Sequence, residues 1–174
     1  MEREEKGKFL TLAYVGAIKR AQILWFVGLG IAALALDQWV KLIMLGGFGW
    51  ESEALTIGGR ALVYNTGVAF SMFAFLEEYL KYIQILFLTL LLLGAVCSDF
   101  FIKHYIPLGV LLGSGVSNIL DRFVHGGVVD YVYWHYWFDF AIFNLADVLI
   151  DISVVMMIWQ MFRGRREEKQ EGAK

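Results

Sequence analysis

The sequence holds one cysteine, one proline and few charges: Asp, Glu, Lys and Arg make up 18% of its 174 residues. A lone Cys97 excludes an intrachain disulfide, and its place in an apolar run reads as a small buried hydrophobe. The three histidines, His104, His125 and His135, show neither an HExxH pattern nor Cys/His ligand spacing. A metal site is therefore not expected, nor is any cofactor. Repeats and low-complexity segments are missing, and nucleic acid is not an expected partner. What is present is grease. Hydrophobic residues make up 59% of the chain, and the mean hydropathy is +0.59. That exceeds the apolar share of a soluble domain and predicts an integral membrane protein.

A helix crossing a bilayer needs about 20 mostly apolar residues. Four segments approach this, at roughly 21–45, 80–97, 106–120 and 143–162. The predicted fold is an all-α polytopic membrane protein: four transmembrane helices in a single membrane domain, 1–174. Pro107 suits the first turn of the third helix, where a missing N–H costs nothing. The first span reads poorly as a cleaved signal peptide, because Asp37 and Lys41 follow its most apolar part, and it is expected to stay. Arg3, Lys6, Lys8, Lys19 and Arg20 precede span one, Lys103 separates spans two and three, and Arg163, Arg165, Arg166, Lys169 and Lys174 follow span four. This asymmetry predicts cytoplasmic tails at 1–20 and 163–174, with both termini inside. The two remaining connections then face outward. Segment 46–79 carries strand-like pieces and a turn near Asn65-Thr66-Gly67, a small β element. Segment 122–143 is crowded with Tyr and Trp and suggests a short interfacial helix.

Charged and amide side chains are costly in this setting, so each needs a reason. Asp37 and Lys41 share a helix face. They are either an ion pair easing the end of span one into the interface or polar posts facing the bundle interior. Asn118, Asp121 and Arg122 end span three behind the small residues Gly113, Ser114, Gly115 and Ser117, which allow close helix packing. Arg122 alone reads as a snorkelling cation. Asp147, preceded by Asn144, heads span four, where a carboxylate is stabilised by the helix dipole. Asp151 lies one turn deeper, where capping no longer explains it. Asp139 reads as a solvated loop acid. Asp130 lies in the outer loop that span four closes, so Asp130 and Asp147 fall at one depth. Two carboxylates brought together share a proton, which equips them for acid/base chemistry on an amide.

Four stretches then resemble one family: LDQWVK at 36–41, YNTGVAFSMF at 64–73, GSGVSNILDRFVHGGVVDYV at 113–132 and FNLAD at 143–147. In that order, across about residues 20–162, they resemble the bacterial lipoprotein signal peptidases, the type II signal peptidases. The resemblance implies an intramembrane aspartic endopeptidase of the bacterial cytoplasmic (inner) membrane, with its active site near the outer face. Its substrate would be a diacylglyceryl-modified prolipoprotein, cut just before the lipidated cysteine. Asp130 and Asp147 match the catalytic pair. Asn65, Asn118, Arg122 and Asn144 match substrate-binding or dyad-positioning groups. Asp37 and Lys41 match supports, and Asp121 a structural acid. Membrane lipid and globomycin-like inhibitors are the implied partners besides the substrate. The chain departs from the family's glycines at Ser114 and Ser117, and Asp151 has no counterpart in the pattern.

Two other classes fit an acid-bearing membrane bundle: a proton-linked carrier and a non-catalytic lipoprotein-binding factor. A carrier wants acids spread through the membrane's depth. Here they gather at one side, and 85–97 carries no charge at all.

Overall fold

A computed structural model describes residues 14–67 and 77–171. Its frame is four helices: α1 (Arg20–Leu45), α2 (Glu77–Val96), α3 (Phe100–Val124) and α4 (Leu145–Glu171). Each is long and apolar enough to cross a membrane. The outside of the bundle is greasy. Leu24, Trp25, Leu42, Phe87 and Val155 are each more than half exposed, the inverse of a water-soluble helix.

Helix α3 is the central element, packing against α1, α2 and α4. Its glycines let backbones touch. A Cβ on Gly113 would lie 2.1 Å from the Gly30 carbonyl oxygen of α1, and one on Gly109 2.4 Å from that of Phe26. Gly113→Ala should therefore cost about 1–3 kcal/mol in detergent unfolding, as overpacking does. Gly115→Ala should cost less, because its Cβ meets only the flexible end of Leu88, 2.9 Å away. Equal losses at the two positions would refute the backbone-contact account.

Helix α3 starts at Phe100, earlier than the hydropathy-based 106, because Lys103 and His104 dilute the signal there. A kink at His104 (φ −127°, ψ 19°) splits the helix, so Pro107 sits in the first turn of its longer part. Helix α4 runs to Glu171, well past the expected end at 162. The tail's Arg, Glu, Lys and Gln are strong helix formers and simply continue it. Cys97 is exposed, not buried: it lies just beyond the end of α2.

The two connections at the other end of the bundle are tied by strands. β1 (Gly49–Glu51), β2 (Leu55–Gly58) and β5 (Val132–Trp134) form one antiparallel sheet; β3 (Val63–Asn65) and β4 (Val128–Asp130) form another. The interfacial helix expected within 122–143 is not there. Past Val124 the chain turns at Gly126 (φ 76°) and is extended. Val128, Val129 and Val132 are β-branched and find partners in the 46–67 segment, which a surface helix would have left unpaired. Residues 68–76, including Val68 and the end of the YNTGVAFSMF stretch, lie outside the described residues.

Candidate active site

The start of α4 organises the site. The first amides of a helix have no intrahelical acceptor. Here Leu145 N–H donates to the Tyr131 hydroxyl (3.0 Å), Ala146 N–H to Asp37 Oδ1 (2.8 Å) and Asp147 N–H to Asn144 Oδ1 (3.0 Å). Asn144 N–H donates back to Asp147 Oδ2 (3.1 Å), completing a reciprocal capping box. Capping thus accounts for one oxygen of Asp147. The other accepts from Asn118 Nδ2 at 2.9 Å.

Asp130 reaches the same place from the end of β4. Register opposes Val63 to Asp130 and Asn65 to Val128, so Asn65 and Asp130 lie on one face of the ribbon. Asn65 Nδ2 donates to Asp130 Oδ2 (3.0 Å), and Asn144 Nδ2 donates to Asp130 Oδ1 (2.7 Å). Asn144 therefore holds both carboxylates, one through its side-chain amide and the other through its backbone. Asp130 is 2% exposed. Burial, and then the charge of Asp147, push its pKa up to about 7, against the pull of the two asparagine donors. Both carboxylates line one cavity of about 540 Å³ together with Asn65, Asn118, Arg122 and Asp151. That volume suits a ligand or a length of peptide.

Beneath the pair lies a buried charge cluster. Lys41 Nζ is 2.6 Å from Asp37 Oδ2, 2.7 Å from Asp121 Oδ2 and 2.9 Å from Asn118 Oδ1. Asp37 and Lys41 are 0% and 1% exposed, so they face the bundle interior and do not ease a helix end into the interface. Asp121 Oδ2 also accepts from the Val129 N–H (3.1 Å), which fastens β4 to α3. Ser117, which stands where the resemblance led us to expect a glycine, donates its hydroxyl to Asp37 Oδ2 at 2.7 Å. The buried Ser114 hydroxyl has no partner among the described residues, and nothing in the structure explains that serine.

Arg122 is 5% exposed and does not snorkel. Its guanidinium donates to the carbonyls of Asn65 (3.3 Å), Thr66 (3.2 Å) and Gly67, and to Gln84 Oε1 on α2 (3.0 Å). It thereby holds the turn that carries Asn65. Asp139 is exposed and accepts from the Tyr133 hydroxyl at 2.6 Å, away from the pair. The eight sequence-selected residues thus fall in one network. Three further members were not anticipated: Gln38, which donates to Asp121 (2.7 Å) and Ser117 (2.9 Å), Gln84 and Tyr131. Gln38 stood inside LDQWVK, one residue after Asp37, so that motif was a usable signal.

Residues 29–163 match the sequence family described as Signal peptidase (SPase) II. The chain is 60% identical over 137 residues to a lipoprotein signal peptidase of Wolinella succinogenes, covering 78% of this chain and 92% of that one. It is 48% identical over 148 residues to a lipoprotein signal peptidase of Campylobacter jejuni, covering 84% and 93%. Its fold is similar to a bacterial membrane enzyme solved by the in meso method at 2.3 Å resolution. There the TM-score is 0.67 at 23% identity, over 79% of this chain and 87% of that one. A second such structure, at 1.9 Å resolution, gives a TM-score of 0.65 at 23% identity, over 78% and 91%.

Proposed function

Because the chain belongs to the signal peptidase II family, and is thus a multi-pass membrane peptidase of lipoprotein processing, we propose that it works as an aspartic endopeptidase. It cuts diacylglyceryl-modified prolipoproteins immediately before the lipidated cysteine, using Asp130 and Asp147. The observation that carries this reading is that both carboxylates line one cavity and are bridged by Asn144.

The pair holds one proton at working pH and titrates as a unit. The ionised carboxylate takes a proton from a water molecule, which attacks the scissile carbonyl. The protonated one hydrogen-bonds the carbonyl oxygen as charge develops on it. Asn65, Asn118 and Asn144 fix both carboxylates so that neither must reorient during reaction. Arg122 positions the Asn65 turn, and Asp37 and Lys41 support the head of α4. The basic residues flanking the spans support a cytoplasmic position for both termini, with the pair at the outer face. The substrate's acyl chains then stay in the bilayer beside the helices. That anchorage is strong, at ~0.8 kcal/mol per buried methylene, and the site needs only to orient the peptide.

Purified protein in detergent, incubated with a diacylglyceryl-modified prolipoprotein, should convert it to a faster-migrating product. Globomycin should block the conversion. An unchanged substrate band with folded protein would refute the assignment.

A further inference from the structure

Asp151 lines the cavity with Asp130 and Asp147 but stands apart in its bonding. Those two carboxylates each accept two hydrogen bonds. Asp151 makes no hydrogen bond or ion pair with the described residues and is exposed. It lies within the apolar span Leu145–Arg165, where a carboxylate is costly, and beyond the first turn that the helix dipole serves. Its cavity neighbours on α4 are Val148, Ile150 and Ile152. Across the cavity, Arg122 and Gln84 already bond each other. Among the described residues, Asp151 is therefore a polar group at its depth whose bonding capacity is unused.

A substrate supplies the use. A signal peptide in the bilayer is helical, because its backbone must satisfy itself there. To offer one bond to Asp130 and Asp147, its last residues must be extended, and each then loses its helical hydrogen bond. Freed N–H groups in a largely apolar cavity need acceptors. Asp151 follows Asp147 by four residues, about 6 Å along the helix on nearly the same face. An extended chain covers that distance in about two residues.

We infer that Asp151 is a positioning residue that accepts the backbone N–H of the signal peptide about two residues before the scissile bond. This rests on the peptidase reading above and gives a role to an acid outside the family motif.

The test uses a synthetic diacylglyceryl lipopeptide spanning the cut, and versions N-methylated singly at each of the four residues before it. With wild-type enzyme, methylation about two residues before the cut should lower kcat/KM about tenfold, the effect of one hydrogen bond left unmade. Asp151→Leu should lower kcat/KM on the unmodified peptide by about the same factor. Asp151→Asn, which keeps an acceptor oxygen, should restore most of it. On Asp151→Leu the same methylation should add little, since both changes remove one contact. A structural role would lower all substrates in parallel, so equal methylation penalties on wild type and Asp151→Leu would overturn the inference. So would unimpaired turnover by Asp151→Leu. Failure of wild-type enzyme to cut the unmodified lipopeptide would instead strike the peptidase reading itself.

Discussion

Asp130→Asn and Asp147→Asn should each fold normally and lose cleavage of lipidated prolipoprotein by about 10²–10⁴-fold, the contribution of a positioned proton-transfer group. Each substitution keeps the side chain's shape but removes the ability to exchange a proton, so binding should change less than turnover. The pH profile should show the cause. With the Asp130 pKa raised to about 7, the shared proton is lost as pH rises through neutrality, and wild-type activity should fall there. Stability should move in the same direction. Between about pH 4 and 7 folded Asp130 keeps a proton that the unfolded chain releases. Raising the pH through that window therefore destabilises wild-type protein, and above it the loss is complete. Asp130→Asn should lose this part of the slope, so the stability difference between variant and wild type should shift in the variant's favour from pH 5 to 8. Thermal unfolding in detergent at the two pH values measures it. Near-normal cleavage by either variant, or parallel stability–pH curves, would refute the assignment.

The parts of this site that sequence revealed are those whose reason is local. Four apolar runs announce four helices, and the place of Asp147 at the head of the fourth announces a helix-end role. The topology of an even number of spans put Asp130 and Asp147 at one depth, and the family resemblance paired them. What stayed hidden depends on register between distant elements. Gln84 reads as an ordinary residue in an apolar helix; its role appears only when α2 lies beside Arg122. Tyr131 was one aromatic among many until β4 carried it to the head of α4. The absent helix in 122–143 has the same origin. Tyr and Trp enrichment is shared by interfacial helices and by strands, and the partner strands that decided the matter lie some 70 residues earlier. Ser117 shows the opposite case: a serine where a glycine was expected, read as a small residue for close packing, supplies a hydrogen bond to Asp37.

The largest stability effect should come from Lys41, outside the catalytic pair. Its ammonium sits between Asp37 and Asp121, and all three side chains are at most 2% exposed. The cluster carries one positive charge against two negative ones. The excess is stabilised by fixed donors: the Ala146 N–H at the head of α4, the Ser117 hydroxyl, the Gln38 amide and the Val129 N–H. Those donors cannot also compensate the loss of the ammonium. Lys41→Met, similar in volume, should therefore cost about 3–5 kcal/mol, the penalty for leaving a buried charge unpaired. In a chain of this size that is a fall in Tm of roughly 10 °C. The exposed Glu51–Arg60 pair is the internal comparison, because its side chains are 51% and 78% exposed. Arg60→Ala should cost no more than about 1 kcal/mol. Activity should separate the two as well. Asp37 holds the first turn of α4, so a loosened cluster displaces Asp147, and Lys41→Met should lose turnover even below its own Tm. Equal stability losses at positions 41 and 60 would mean that the buried cluster is not what fastens α1, α3 and α4 beneath the carboxylate pair.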